Sequence, residues 1–465
     1  MKCDELIITA NVLGSRAFKQ DYNTKYAYYA GSMANGISSV EMVIALGQEG
    51  YMCGYGSGGV PLHEVEQAIH KIKSALPEGP YLINLLHSQN NPEQEEGMVT
   101  LLLEQSVKAI EASAFIEISP ALIRYRVAGL KKSATRGVYS ENRIIAKASR
   151  EEVAKKFMSP PDPKIVTNLL EKGLITSEQA EWAKQIPVAD DITAEADSGG
   201  HTDGQPFISL LPLIINIRDE IQQQFDYSKK IRVGAAGGIS TAIAAAGAFQ
   251  MGADYVVTGS VNQGCIEAKT SDYVKEMLAN VTMSDVVLAP SAGMFELGSK
   301  VQVIKKGTMF PMNAQKLYDL YVRHASIDDL PEKEKKILET RIFRHDLVTV
   351  WKFVEEYFAK NDPKLLERAK TNPKLRMALI FRWYLGNSSR WAINGDEMRK
   401  MDMQIWCGKS MGAFNRWVSK TDLAQWSNRT VVKIADKIMR EAAIVISANY
   451  RKLVKSHPNE EGEVM

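Results

Sequence analysis

Up to about residue 260 the chain repeats one arrangement: a short apolar run bounded by Gly, Ser or Asn, followed by a stretch of helical period. Repeated strand–helix units of this kind constrain the fold strongly. Each helix must cover one face of a largely parallel sheet, and such a sheet is buried on both sides. Eight units can be counted, with strands predicted at 26–33, 51–55, 81–87, 114–119, 143–149, 191–197, 231–236 and 254–259. Several of these runs, such as YLINLL and YVVTG, are almost continuously apolar, as strands buried on both faces should be. Eight units in roughly 240 residues match a closed (β/α)8 TIM barrel better than an open doubly wound sheet. The helix after the fifth run is expected to open on a capping box, Ser149 to Glu152, in KASREEVAKKF.

Two stretches break the rhythm. Residues 160–187, PPDPKIVTNLLEKGLITSEQAEWAKQIP, start on clustered prolines and hold two short helical patterns, which reads as a helical insertion at a barrel rim. Beyond Gly298 the strand signals fade and helical period takes over, up to a long run from Thr430 to about Leu453. The expected division is a barrel over 1–298 and a C-terminal helical region over 299–465. Trp351, Trp383, Trp391, Trp406, Trp417 and Trp426 are concentrated in that region; they either line a ligand tunnel or, as aromatic residues more often do, fill a core. The tail SHPNEEGEVM is polar and is expected to fray.

Charge excludes some partners. Lys and Arg number 57 against 55 Asp and Glu, so no global field gathers nucleic acid or anionic lipid. The start of the sequence has no signal-peptide pattern, and no run of 18 apolar residues suggests a membrane span, so the expected location is cytoplasmic. Cys3, Cys53, Cys265 and Cys407 are scattered without metal-site spacing, which predicts reduced, mostly buried thiols and no metal. Whether the chain acts singly or as a homo-oligomer is open at this level.

Three glycine-rich stretches fall where a barrel keeps its active site, at the C-terminal ends of strands. VGAAGGIS (233–240) ends the seventh predicted strand and VVTGSVNQG (256–264) the eighth. Glycines there let backbone N–H groups approach phosphate oxygens, which makes Gly237, Gly238, Gly259 and Ser260 candidate phosphate ligands. A glycine turn that merely reverses the chain is the plainer reading of either loop alone. AEADSGGHTDGQP ends the sixth strand and places His201 directly after Gly199 and Gly200. That imidazole either faces the barrel mouth or is a loop histidine bonded to Asp203. Lys147, within the apolar run RIIAKAS, needs an anion if it is buried, and a reduced flavin would supply one; the alternative is a side chain that snorkels to solvent.

With YYAGSMANG at the first strand, Asn84 in the third, K-A-S in the fifth, G-G-H after the sixth, then A-G-G-I and T-G-S, the sequence resembles the 2-nitropropane dioxygenase/nitronate monooxygenase superfamily of FMN barrels. More narrowly, the 160–187 insertion, EADSGGHTDGQP, FELGSKVQVIKKGTMFPMNAQKLYDLY and WCGKSMGAFNRW resemble the trans-acting enoyl reductases of polyketide and polyunsaturated fatty acid synthases. The resemblance implies that Ser32, Met33 and Ala34 line a flavin ring, that Asn84 bonds its polar edge and that Lys147 sits near its N1/O2 end. It further implies that Gly199 and Gly200 pass beside the ring, that Gly237, Gly238, Gly259 and Ser260 hold the phosphate, and that His201 stands at the reacting face. The implied activity is reduction of the α,β double bond of an enoyl thioester on an acyl carrier protein, with FMN as cofactor and NADPH or NADH as hydride donor. A nitronate-type flavin oxidase and a non-catalytic barrel that binds a carrier protein are the competing readings. Among basic residues of the helical region, Lys333, Lys335 and Lys336, and Arg399 with Lys400, are candidates to meet an acidic carrier helix.

Overall fold

A computed structural model describes residues 8–88, 91–135 and 137–455. Cys3 and the polar tail lie outside the described residues. The chain forms two compact units: the first takes in residues through Asp197, Asp203–Lys269 and the chain from Trp417 onward, the second Ser198–Thr202 and Thr270–Arg416.

The strands are, in chain order, β1 (Tyr28–Ala30), β2 (Met52–Tyr55), β3 (Leu82–Leu86), β4 (Ala109–Ser113), β5 (Leu130–Ser133), β6 (Gly137–Ser140), β7 (Arg143–Ala148), β8 (Asp191–Glu195), β9 (Gly200–His201), β10 (Arg232–Ala236), β11 (Val256–Thr258), β12 (Val286–Pro290) and β13 (Lys300–Ile304). In the first unit β1, β2, β3, β4, β7, β8, β10 and β11 close, in that order, into a barrel of parallel strands, as the repeated units predict. Closure is made by β11 beside β1, with Tyr28 opposite Val256.

One strand is not where it is expected. The fourth is Ala109–Ser113, not 114–119; Ala114 turns the chain at φ +62 and Pro120 opens the next helix. The true strand, AIEAS, carries Glu111 at its centre, and a fully buried carboxylate breaks the apolar pattern that marks the other strands.

Below the strands, the short helix Arg16–Asp21 turns Phe18 against Tyr255, with ring centroids 4.3 Å apart. Beside them Arg232 Nη2 donates to Asp191 Oδ2 at 2.8 Å, and Tyr22 OH donates to the same oxygen. Aromatic packing and a satisfied ion pair thus close the N-terminal end of the barrel.

The 160–187 insertion is helical as expected, with Pro163–Glu171 capped by Asp162 and Ser177–Trp182 started by a capping box between Thr176 and Gln179. The capping box expected at Ser149 is absent: the helix Glu151–Met158 has Arg150 at its N-cap, and Ser149 Oγ donates to Asp203 instead. The antiparallel hairpin of β5 and β6 was not legible either, since Lys131 and Lys132 make its first strand polar.

The second unit also departs from expectation. The units part at Lys269 and again at Arg416, not once at 298. The long helix Val431–Lys455 belongs to the barrel unit, where it packs along Ala242–Gln250 and Tyr51 OH donates to Asp436 at 2.7 Å. Strand signals do not end at Gly298, because β12 and β13 pair antiparallel and β13 also pairs with β9. The helices Phe310–Arg323, Leu347–Asn361, Pro363–Thr371 and Pro373–Asn394 build the rest of this unit's core. Trp351, Trp383, Trp391 and Trp406 pack on that core. Arg399 offers no surface charge: it is buried, and its Nη1 donates to Ile342 O at 3.0 Å. Lys333 and Lys336 are exposed, and Lys335 pairs with Glu332 at 2.9 Å.

Among the described residues no helix is long and apolar enough to cross a membrane, and Cys53, Cys265 and Cys407 are buried and in no disulfide.

Candidate active site

At the C-terminal end of the barrel, three of the expected site residues converge on one that the sequence did not single out. Glu111 Oε2 accepts a bond from Ser32 N at 2.9 Å, and Glu111 Oε1 accepts from Tyr29 OH at 3.0 Å. Asn84 Nδ2 donates to the backbone oxygen of Glu111 at 3.0 Å and to Ser113 Oγ at 2.9 Å. Asn84 lies opposite Glu111 on the adjacent strand β3, whereas Tyr29 and Ser32 belong to β1 and the loop after it, which are not adjacent to β4 and are reached by the Glu111 side chain. Ser32 Oγ is buried and has no hydrogen-bond partner among the described residues.

Lys147 is the third. Its ammonium lies 2.6 Å from Glu195 Oε1, so its charge is met within the chain and it does not snorkel. Burial alone would lower its pKa, but Glu195 and Glu111 outweigh that effect and hold it above the usual lysine value. A flavin is therefore not required to explain a buried cation here. Glu195 lies inside the predicted 191–197 run but carries no signal of its own, because β8, DITAE, already mixes polar and apolar residues and its partner is far away in the sequence.

The loop after β1 holds the other two. Met33 N donates to Ser38 Oγ at 2.9 Å, and Ala34 O accepts from Ile37 N at 3.2 Å. Asn35 N and Gly36 N donate to Gly58 O and Gly56 O, which ties this loop to the one after β2. A Cβ placed on Gly58 would stand 3.6 Å from both Ala34 Cβ and Asn84 Oδ1, so those two residues flank the same glycine.

The two glycine loops differ from each other in their reasons for glycine. Gly237 has φ +82, and a Cβ there would meet the backbone of Ala196 at 2.6 Å, so its glycine serves chain packing. Gly238 has φ +83 and Gly259 a negative φ; a Cβ on either meets no atom within 4 Å. Both thus border open space at the ends of β10 and β11, where a phosphate could approach backbone. Ser260 opens the short helix Ser260–Gln263.

Gly199, Gly200 and His201 belong to the second unit. Gly200, at φ +80, lies opposite Gln302, and His201 opposite Val301. His201 Nε2 is 2.9 Å from Ser291 Oγ, which also accepts from Gly293 N at 3.1 Å. Ser291 had no signal in the sequence, as it lies ninety residues from its partner. Asp203 is not that partner: its carboxylate accepts from Arg150 Nε at 2.9 Å and Nη2 at 2.8 Å. Solvent reaches His201, yet desolvation by the protein around the ring holds its pKa below the ordinary histidine value.

Against known proteins, residues 16–326 match the family model described as nitronate monooxygenase. Residues 324–403 match the inserted helical domain of [acyl-carrier-protein] S-malonyltransferase. The chain is 48% identical over 440 residues to the polyketide biosynthesis protein PksE of Bacillus subtilis, covering 94% of this chain and 57% of that protein. It is 46% identical over 419 residues to a polyunsaturated fatty acid synthase subunit of a Thraustochytrium species, covering 89% of this chain and 28% of that subunit. The chain therefore spans little more than half of the Bacillus protein and a smaller share of the synthase subunit. Among solved structures, the enoyl reductase domain of MlnA, from the macrolactin biosynthesis cluster of Bacillus amyloliquefaciens, superposes with a TM-score of 0.90 at 42% identity, covering 96% of this chain and 99% of that one.

Proposed function

We propose, for a chain that belongs to the nitronate monooxygenase family of flavin-dependent oxidoreductases, that it is an FMN-dependent enoyl reductase acting on acyl chains carried by an acyl carrier protein. One observation carries this reading: the likeness to an enoyl reductase domain extends through both units at 42% identity rather than stopping at the barrel. Likeness to synthase proteins supports a carrier-bound substrate and a role in polyketide or polyunsaturated fatty acid biosynthesis. We further infer NADPH, or NADH, as the reductant and the cytoplasm as the place of action.

The residues present fit a flavin mononucleotide. Gly238 and Gly259 border space that a Cβ would fill, and a phosphate approached by backbone N–H groups there needs no side chain. Ser32 Oγ, buried without a hydrogen-bond partner among the described residues, is a polar atom that a ligand could satisfy. When bound, the flavin supplies hydride transfer between the nicotinamide and the enoyl acceptor. In this reading Ser32, Met33, Ala34 and Asn84 line and bond the ring, and Lys147 stands near its N1/O2 end. Gly199 and Gly200 pass beside the ring, while Gly237, Gly238, Gly259 and Ser260 surround the phosphate.

His201 has the catalytic role. Reduction at the β-carbon leaves negative charge on the thioester carbonyl and α-carbon, and a preorganised donor there lowers the barrier. Desolvation lowers its pKa, which favours the neutral imidazole. Nε2 is engaged by Ser291 Oγ, whose hydroxyl also accepts from Gly293 N–H, so in this reading Nδ1 is the ring nitrogen that carries the hydrogen toward the substrate. His201 is then a hydrogen-bond donor to the developing enolate, held in place by Ser291.

The test is the colour and cofactor of the purified protein. A yellow protein whose released cofactor runs with FMN is the expected result; FAD, or a protein that stays colourless after reconstitution with FMN, would refute the reading.

A further inference from the structure

We propose that Glu111 is the positioning residue of the flavin site, holding the Ser32 backbone in place and setting by its negative charge the redox potential of the bound flavin. This inference rests on the reading that a flavin occupies the barrel mouth.

Three observations carry it. Glu111 is fully buried, yet it contacts two of the residues assigned to the flavin: its carboxylate accepts from Ser32 N at 2.9 Å and its backbone oxygen from Asn84 Nδ2 at 3.0 Å. The third, Lys147, is held in its charged form partly by the Glu111 carboxylate. Next, the chain leaves room for the contact. A Cβ on Gly54 would fall 2.2 Å from Ser32 Oγ and 3.3 Å from Glu111 Oε2, and one on Gly31 would fall 3.5 Å from Glu111 Oε1. Any larger residue at 54 would push Ser32 away from the carboxylate. Last, the charge is costly, and the hydrogen bonds to Ser32 and Tyr29 do not by themselves require it. Layers inside such barrels are usually filled by branched apolar residues, and a buried carboxylate carries a desolvation penalty that a neutral amide of the same shape avoids.

A scaffold role for Glu111 needs only its hydrogen bonds, and these can be met without charge. A glutamine could place its amide oxygen on Ser32 N and donate its NH2 to the Tyr29 oxygen. The Tyr29 hydroxyl would then turn toward Thr193 Oγ1, which already lies 3.3 Å from it. What glutamine cannot supply is the negative charge. A negative charge near the flavin disfavours the electron-rich reduced form, as charge near the ring's polar edge tunes flavin electronics generally. Glu111 also offsets the ammonium of Lys147, which acts in the opposite sense.

The experiment is a redox titration of the flavin in the wild type, Glu111→Gln and Tyr29→Phe. In Glu111→Gln the flavin is retained and its midpoint potential moves positive. In Tyr29→Phe the carboxylate keeps its charge but loses a donor that spreads it, so the potential moves negative; this variant deletes only a hydroxyl and decides the question should Glu111→Gln not fold. Potentials equal to the wild type in the variants that fold would overturn the inference and leave the functional reading standing. A wild type that binds no flavin would overturn that reading first, and this inference with it.

Discussion

His201 and Ser291 form the pair on which the chemical proposal depends. Replacing His201 by Ala should slow reoxidation of the reduced protein by enoyl substrate by roughly 10²- to 10³-fold, the usual scale for one preorganised donor. Reduction by NADPH should change far less, because that half-reaction needs no donor at a substrate carbonyl; stopped-flow measurement of the two halves separates a catalytic histidine from one that only shapes its loop. A second residue-scale prediction concerns stability. Asp190 is nearly buried, and Arg126 grips it with Nη1 at 2.6 Å and Nη2 at 3.2 Å. Burial by itself would raise its pKa, but the guanidinium holds it down at about 2. The folded value lies below the unfolded one of about 3.9, so the charged form stabilises the fold fully above that pH, and the contribution is lost as pH falls toward 2. Its size is about 2 to 3 kcal/mol. Asp190→Asn should cost about 3 to 5 kcal/mol at neutral pH, since it strands a buried guanidinium. In denaturant titrations the gap between Asn variant and wild type should narrow below about pH 4; a constant gap would contradict this linkage.

Elements show why two adjacent glycines should respond differently. Gly237→Ala forces a Cβ against the backbone of Ala196 at an unfavourable φ, so it should lower the melting temperature sharply. Gly238→Ala meets no atom, so its cost should be that of the left-handed backbone, roughly 1 kcal/mol, while flavin affinity falls because the methyl enters the cradle. Equal flavin affinity in Gly238→Ala and the wild type would remove this loop from the phosphate site. At this scale most of the barrel was legible, since seven of the eight barrel strands fall within or upon the predicted runs. Glu111 hid the fourth, because a buried charge in the middle of AIEAS has the appearance of a strand's end, while the next stretch, AFIEIS, is more apolar. Of the site, the residues on strand-end motifs could be found because glycine and isolated polar residues stand out against apolar runs. Their partners Glu111, Glu195 and Ser291 could not, because pairing across 82, 48 and 90 residues leaves no local pattern.

At the scale of the whole molecule, a flavin barrel shares the chain with a helical unit matching a domain inserted in an acyl-carrier-protein transferase. Recognition of a carrier should then show in steady-state kinetics, with kcat/KM for a carrier-bound enoyl substrate above that for the same acyl group on a short thiol. Lys333 and Lys336 are exposed, whereas Arg399, which the sequence also suggested, is buried. Reversing both lysines to Glu should raise KM for the carrier-bound substrate and leave the short thioester unchanged, in the manner of rim charges that steer association. Equal KM on the carrier substrate would place the docking face elsewhere. The most direct test of the central claim is a single turnover. Protein reduced anaerobically is mixed with an enoyl group on acyl carrier protein, while the visible absorbance of oxidised flavin and the acyl product are followed. Rapid return of that absorbance, with formation of the saturated thioester, is the predicted result. Absorbance that stays bleached with the enoyl substrate and returns only with oxygen and an alkyl nitronate would contradict it.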